Sequence, residues 1–175
     1  DEVLSEARDL EEELRSAGFG VRLDDRDMRP GAKYYHWEMR GVPLRIEIGP
    51  RDIDTNTVIA VTRSGYKTKL DRRGVVEGVF SVLMEFQDEI RMAARQAMAD
   101  RIILVETLEE TAEAVKNGVA VAHWCGSEEC AEKIETVVDA SILGSDIRSD
   151  MVTVSEGPCI ACGGEGTSTL IARTY

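Results

Sequence analysis

Val3, Leu4, Ala7, Leu10, Leu14 and Ala17 recur at three- and four-residue intervals among Glu and Arg, and Gly18 ends the run. That spacing predicts an amphipathic helix over 3–17. Over 19–24 the pattern changes to alternation, the period of a half-buried strand. Residues 25–31 are polar and rich in turn formers, and read as a loop. A short helix is expected over 33–40, ahead of Gly41. Strands follow over 43–49 and 57–63, then a Ser64-Gly65 turn and a strand over 67–70. Asp71 suits the cap of a long helix reaching about residue 100. Its inner face would carry Val75, Val76, Val79, Phe80, Leu83, Phe86 and Ile90.

Beyond a polar helix end, Ile102-Ile103-Leu104-Val105 opens a second pattern. A helix is expected over 107–117, a strand over 119–124 and a helix over 128–138. Strands near 140–144, 151–154 and 168–174 would complete it. The pattern predicts an α/β domain over 1–100, a mixed sheet flanked by helices, followed by a small α+β domain over 101–175. No internal repeat or low-complexity tract interrupts it. A chain of 175 residues can bury one ordinary core plus a small stapled one. No apolar run approaches the roughly 18–20 residues a membrane helix needs. The chain starts at Asp1, directly on a helical pattern and with no signal-peptide pattern at this end. It reads as a piece of a longer protein whose front part is missing, with a cytoplasmic location expected.

Net charge is -12, which argues against a non-specific nucleic-acid coat. The charge is uneven. Residues 20–76 hold 12 basic and 8 acidic side chains, an excess of four positive charges in an otherwise acidic chain. A polyanion could be gripped there, although a mixed, solvated face would show the same count.

All four cysteines lie in the last third, as Cys125-x4-Cys130 and Cys159-x2-Cys162. Two such pairs can close a tetrahedron of thiolates around one Zn²⁺. Gly126 helps the first loop turn, and Gly157, Pro158, Gly163 and Gly164 frame the second. Two disulfides would be unusual without a secretory signal, and no thioredoxin-like start precedes the Cys-x-x-Cys. Four thiolates leave no open position, so such a zinc would staple rather than catalyse. His123, two residues before Cys125, could compete as a ligand or simply pack. No Ser/His/Asp grouping and no phosphate loop is evident, so the chain shows no catalytic constellation of its own.

Within the basic island, arginines, aromatics and carboxylates interleave. That mixture suits unstacked RNA bases, which need a flat partner and directional hydrogen bonds; Tyr35 and Trp37 as core residues and Glu47 as a strand carboxylate would be the plainer reading. The run Pro30-Gly31-x-Lys33-Tyr34-x-x-Trp37-Glu38, then Gly41-Val42-Pro43-Leu44-Arg45-Ile46-Glu47-Ile48-Gly49-Pro50-Arg51-Asp52, resembles the anticodon-binding domain of class II aminoacyl-tRNA synthetases, prolyl-tRNA synthetases in particular. The archaeal/eukaryotic type of that family appends a cysteine-rich zinc domain and ends on a tyrosine. This chain ends Ala172-Arg173-Thr174-Tyr175, so the resemblance covers nearly all of it.

The resemblance implies that Tyr34, Glu38, Arg45, Arg51 and Asp52 read the two guanines common to proline anticodons; Lys33, in the same island, is expected to position a phosphate. A carboxylate can accept from guanine N1 and N2, and an arginine can donate to O6 and N7. It implies structural Zn²⁺ on Cys125, Cys130, Cys159 and Cys162, and a carboxylate of Tyr175 that reaches the parent's active site. The partners implied are proline tRNA and the parent's catalytic domain, with a homodimer formed through the parent. In one respect the chain departs from the family: the family domain begins with a strand before its first helix, which is absent here. The catalytic domain is absent too, so use of ATP and proline–tRNA ligase activity are expected of the parent. A non-catalytic RNA-binding paralogue and a zinc-stapled protein-interaction module remain open at this point.

Overall fold

Helix α1 (Glu2–Ser16) buries Leu10 and Leu14, one turn apart, so a single stripe faces inward. A computed structural model describes residues 2–145 and 152–174. In it the chain divides into two compact units, Asp1–Arg91 and Met92–Tyr175, with the division inside a long helix.

In the first unit, α2 (Pro30–Glu38) leads to β1 (Leu44–Glu47), α3 (Pro50–Asp54), β2 (Thr57–Thr62) and β3 (Lys67–Asp71). The strands pair in the order β1-β2-β3, both pairings antiparallel. Leu44 and Ile46 on β1, Val58 on β2 and Leu70 on β3 turn to one face and pack with Leu10, Leu14, Val75 and Val79. The opposite face carries Arg45 and Glu47, the period of two that a strand imposes. Asp71 caps a 3-10 turn (Arg72–Gly74) by accepting from the Arg73 N–H at 2.8 Å, and α4 (Val75–Ala99) follows. Arg72 ties this turn to α1 through Glu6 at 2.6 Å and Glu13 at 2.5 Å.

Three expectations change here. Residues 19–23 alternate in burial as predicted, with Phe19 and Val21 on the core, but residues 19–24 form no strand. Their polar backbone is met instead by α1: Glu11 accepts from the Leu23 N–H at 3.3 Å and Arg15 donates to the Val21 carbonyl at 3.3 Å. The residues read as a loop end earlier than expected, because Pro30, with φ preset, opens α2. On α4 the buried residues are Val75, Val79, Val82 and Phe86, whereas Phe80 is 59% and Ile90 43% exposed. The inner stripe is therefore narrower than the apolar pattern suggested, and it takes in Val82, which that pattern left out.

In the second unit β4 (Ile102–Leu104) runs parallel to β5 (Val119–Trp124). Between them α5 (Leu108–Ala114) is capped by Thr107, whose hydroxyl accepts from the Glu110 N–H. Helix α6 (Glu128–Val138) precedes β6 (Ser141–Gly144), β7 (Glu156–Pro158) and β8 (Glu165–Ala172). The mixed sheet has the order β4-β5-β8-β6, with β7 on β8. Ile134 and Ile171, both fully buried, centre its core with Ala120, Ala122 and Val138. Of the strand expected over 151–154, Met151 lies outside the described residues, and residues 152–154 join no strand. Pairing starts at Glu156 instead, after Ser155 has taken its N–H to the Ser168 hydroxyl at 3.0 Å. Strand β8 starts at Glu165, earlier than expected, and Gly166 allows it: a Cβ there would sit 2.8 Å from the Trp124 backbone. No helix among the described residues is long and apolar enough to cross a membrane.

At Gly118 a Cβ would fall 2.3 Å from the Arg101 carbonyl oxygen, which accepts from the Val119 N–H at 2.8 Å. Gly118→Ala should therefore cost about 1–3 kcal/mol. Denaturant titration checks this, and an unchanged midpoint would mean that the backbones do not approach so closely.

Candidate functional site

Three of the residues singled out in the basic island, Tyr34, Glu38 and Arg45, converge where α2 meets β1. Tyr34 and Glu38, four apart, share a face of α2 and meet Arg45. The guanidinium carbon lies 4.2 Å from the Tyr34 ring centroid, a cation–π stack. Arg45 Nη1 donates to Glu38 Oε1 at 2.5 Å and Nε donates to Glu47 Oε1 at 2.8 Å. Its Nη2 has no hydrogen-bond partner among the described residues. The Glu38 side chain is 45% exposed and that of Glu47 21%, so Glu38 is the carboxylate a ligand could reach. Burial, and then the Glu47 charge, push the Tyr34 phenol above its ordinary value, so it stays neutral. A shallow crevice runs here between Tyr34, Glu38, Arg45 and Arg63.

The next face of α2 carries Lys33 and Trp37, and both meet Asp24. The indole Nε1 donates to Asp24 Oδ2 at 2.8 Å, and Lys33 Nζ donates to the Asp24 carbonyl at 3.0 Å. Arg26 grips the same carboxylate, Nε to Oδ1 at 2.8 Å and Nη2 to Oδ2 at 2.6 Å. The Arg26 hydrogen bond, aided by Trp37, holds the Asp24 carboxyl well below the usual carboxylate range against the opposing effect of burial. Trp37 is half-buried and Tyr35 65% exposed, so neither is a core residue.

Arg51 and Asp52 are set apart on α3. Asp52 Oδ2 accepts from the Gly49 N–H at 2.9 Å and so starts the helix, while the Arg51 side chain is exposed and without a hydrogen-bond partner among the described residues. Tyr175 lies outside the described residues. Asp24 escaped the sequence reading because its ties span up to 13 residues. Glu47 stands two after Arg45 on one strand face, a spacing from which an Arg45–Glu47 ion pair can be read in the sequence.

The cysteines form the second cluster. All four are free thiols, and their sulfurs lie within 4.8 Å of one another. Cys125 and Cys162 are 3.9 Å apart, close to the edge of about 3.8 Å in a tetrahedron with bonds near 2.3 Å. The set could hold a metal ion. Two loops build it. Ser127 caps α6 by accepting from the Cys130 N–H at 3.3 Å and reaches Cys125 Sγ at 3.3 Å. In the second loop the Gly163 N–H donates to the Cys159 carbonyl at 2.8 Å and the Cys159 N–H to the Gly164 carbonyl at 2.7 Å. Lys133 of α6 holds that loop through the Ala161 carbonyl at 2.8 Å. Hydrogen bonding to Ser127 lowers Cys125 to about 6. His123 stands outside the set: its Nε2 meets Ser155 Oγ at 3.0 Å, and Gly157 lies against its ring.

Comparisons with known proteins fall on the same two units. The family model for the anticodon binding domain matches residues 1–81, and that for the prolyl-tRNA synthetase C-terminal region matches residues 108–175. The chain is thus an aminoacyl-tRNA synthetase anticodon-binding domain followed by a synthetase C-terminal domain. A proline–tRNA ligase of Methanoculleus marisnigri is 75% identical over the whole chain, and one of Thermococcus kodakarensis 39% identical over 99% of it. Prolyl-tRNA synthetase from Cryptosporidium parvum, solved with L-proline and AMP, superposes over 98% of the chain with a TM-score of 0.85 and 28% identity. The chain belongs to the prolyl-tRNA synthetase family, as a C-terminal part. It spans 37% of the length of each of these three relatives.

Ser127→Ala would remove both the α6 cap and the Cys125 contact, at a cost of about 1 kcal/mol. Denaturation of the second unit checks this. Ser127→Asp, which still caps, should recover most of the loss, and a neutral Ser127→Ala would rule the cap out as a support of the cysteine loop.

Proposed function

We propose that the chain is the tRNA-recognition portion of a proline–tRNA ligase. The first unit reads the proline anticodon, and the parent's catalytic domain attaches proline to that tRNA with ATP. The parent works as a homodimer. Tyr34, Glu38, Arg45, Arg51, Asp52 and Lys33 form the anticodon contact. The observation that carries this reading is the Arg45 guanidinium, stacked on Tyr34 with one nitrogen still unpartnered beside an accessible carboxylate. An arginine has five N–H donors, and two are engaged by Glu38 and Glu47. The Nη2 edge can donate to guanine O6 or N7 while the Glu38 carboxylate accepts from N1 and N2. Lys33, braced on Asp24, keeps further ammonium hydrogens for a phosphate.

As ion pairs alone, the Arg45 contacts would be worth about 0–1 kcal/mol. A directed pair to a base is worth about 1–3 kcal/mol of discrimination. The two are separated by measuring binding of the full-length protein to proline tRNA with either anticodon guanine replaced. Arg45→Ala should lose affinity for the natural tRNA and little more for one replaced form. Equal losses on every tRNA would mean that Arg45 reads no base. Lys33→Ala should weaken all forms alike and flatten the salt dependence.

The four cysteines take one structural Zn²⁺ per chain. Four sulfur donors within 4.8 Å of one another suit zinc and close its coordination, so the ion staples the second unit. Metal analysis of protein purified without added zinc should give about one equivalent, and a chelator should melt the second unit before the first. Two titratable disulfides and no metal would contradict this.

A further inference from the structure

Helix α2 presents a mechanical difficulty. It has nine residues, none of them buried, and no side-chain hydrogen bond at its N-cap Arg29. A helix this short does not persist by itself, and its only apolar seat is the crevice that half-buried Tyr34 and Trp37 line with Val42 and Val61. Its position rests on polar ties along two adjacent faces. Tyr34 and Glu38 meet Arg45; Lys33 and Trp37, each one residue earlier and so rotated by about 100°, meet Asp24. The first tie is the one a base must enter, because it shares Arg45 and Glu38. While a base is held there, the rotation of α2 falls to the second.

We propose that Asp24 is a positioning residue for anticodon reading: through the Trp37 indole N–H it fixes the rotation of α2, so that Tyr34 and Glu38 face Arg45 when the base enters. This rests on the anticodon reading above. Asp24 is built for the task. Arg26 binds both carboxylate oxygens, a bidentate grip that fixes the plane of the group. Oδ2 is then aimed at the indole, and the Arg26 guanidinium carbon lies 6.0 Å from the Trp37 ring centroid. The Asp24 side chain is 12% exposed, so water competes poorly for Oδ2. Lys33 adds a second bond from the same face to the Asp24 backbone. The helix is thereby held at two points, one turn apart, against a segment that is itself bonded to α1.

The test uses the full-length protein and proline tRNA, natural and with an anticodon guanine replaced. The readout is discrimination, the ratio of the two affinities. Trp37→Phe keeps an aromatic ring and removes the donor together with part of the ring area. Asp24→Ala removes the acceptor, and Asp24→Asn loses the Arg26 charge pairing but keeps an acceptor for the indole. Trp37→Phe and Asp24→Ala should each lower discrimination about tenfold, the scale of one misplaced base contact. Asp24→Asn should restore most of it. The salt slope of binding and the metal content should stay at the wild-type values, which a general structural collapse would not allow. Should Asp24→Ala fail to fold, Trp37→Phe decides alone. If Arg45→Ala abolishes discrimination while Trp37→Phe retains it, the positioning role is overturned and the anticodon reading stands. If Arg45→Ala leaves discrimination intact, the anticodon reading itself falls and the positioning role with it.

Discussion

The anticodon-type face depends on the guanidinium of Arg45, which joins a strand anchored in the core to a helix that has no core of its own. Leu44 and Ile46 seat β1 on the packed side of the sheet, so the intervening residue is turned outward by the strand's own geometry. There the Arg45 charge lies over the Tyr34 ring and between two carboxylates. Burial works against that charge, and the hydrogen bonds to Glu47 and Glu38 outweigh it, raising the Arg45 pKa. A lysine could offer the charge but not the planar fork that serves two carboxylates and still presents an edge.

The second unit meets a different constraint. Its core is built largely from alanine and valine around Ile134 and Ile171, small side chains that bury little area each. Its two cysteine loops touch this core only through Trp124, Ile160 and Ala161, and their sulfurs gather within 4.8 Å. A bound ion would close these loops onto α6, whose first turn already carries Cys130 and the Ser127 cap. The same unit holds much of the chain's negative charge, which leaves the gripping of a polyanion to the first.

Much of this was legible in the sequence because it is local. Paired thiols at short spacing marked the metal-type cluster, and Asp71 marked the turn into α4. What escaped depends on tertiary partners. Residues 19–23 alternate because one side faces the core, yet alternation says nothing of whether a neighbouring strand exists. The Gly49-Pro50-x-Asp52 start of α3 is a local signal that was passed over, since five residues show no helical period. The apolar pattern put Phe80 on the inner stripe of α4 and left Val82 out, and packing reverses the two. Asp24 reads in the sequence as the last residue of an expected strand, and only the fold brings Trp37 and Arg26 onto it.

The central claim, that Glu38 and Arg45 meet a guanine edge, is tested most directly by replacing one anticodon guanine with inosine. That change removes only the exocyclic amino group that Glu38 would accept from. Binding of full-length protein is measured for wild type and Glu38→Gln on both tRNAs, closing a double-mutant cycle. The account predicts that at one of the two guanines inosine costs wild type about 1–3 kcal/mol and costs Glu38→Gln much less. Equal losses in the two proteins at both positions, or none in either, would contradict it.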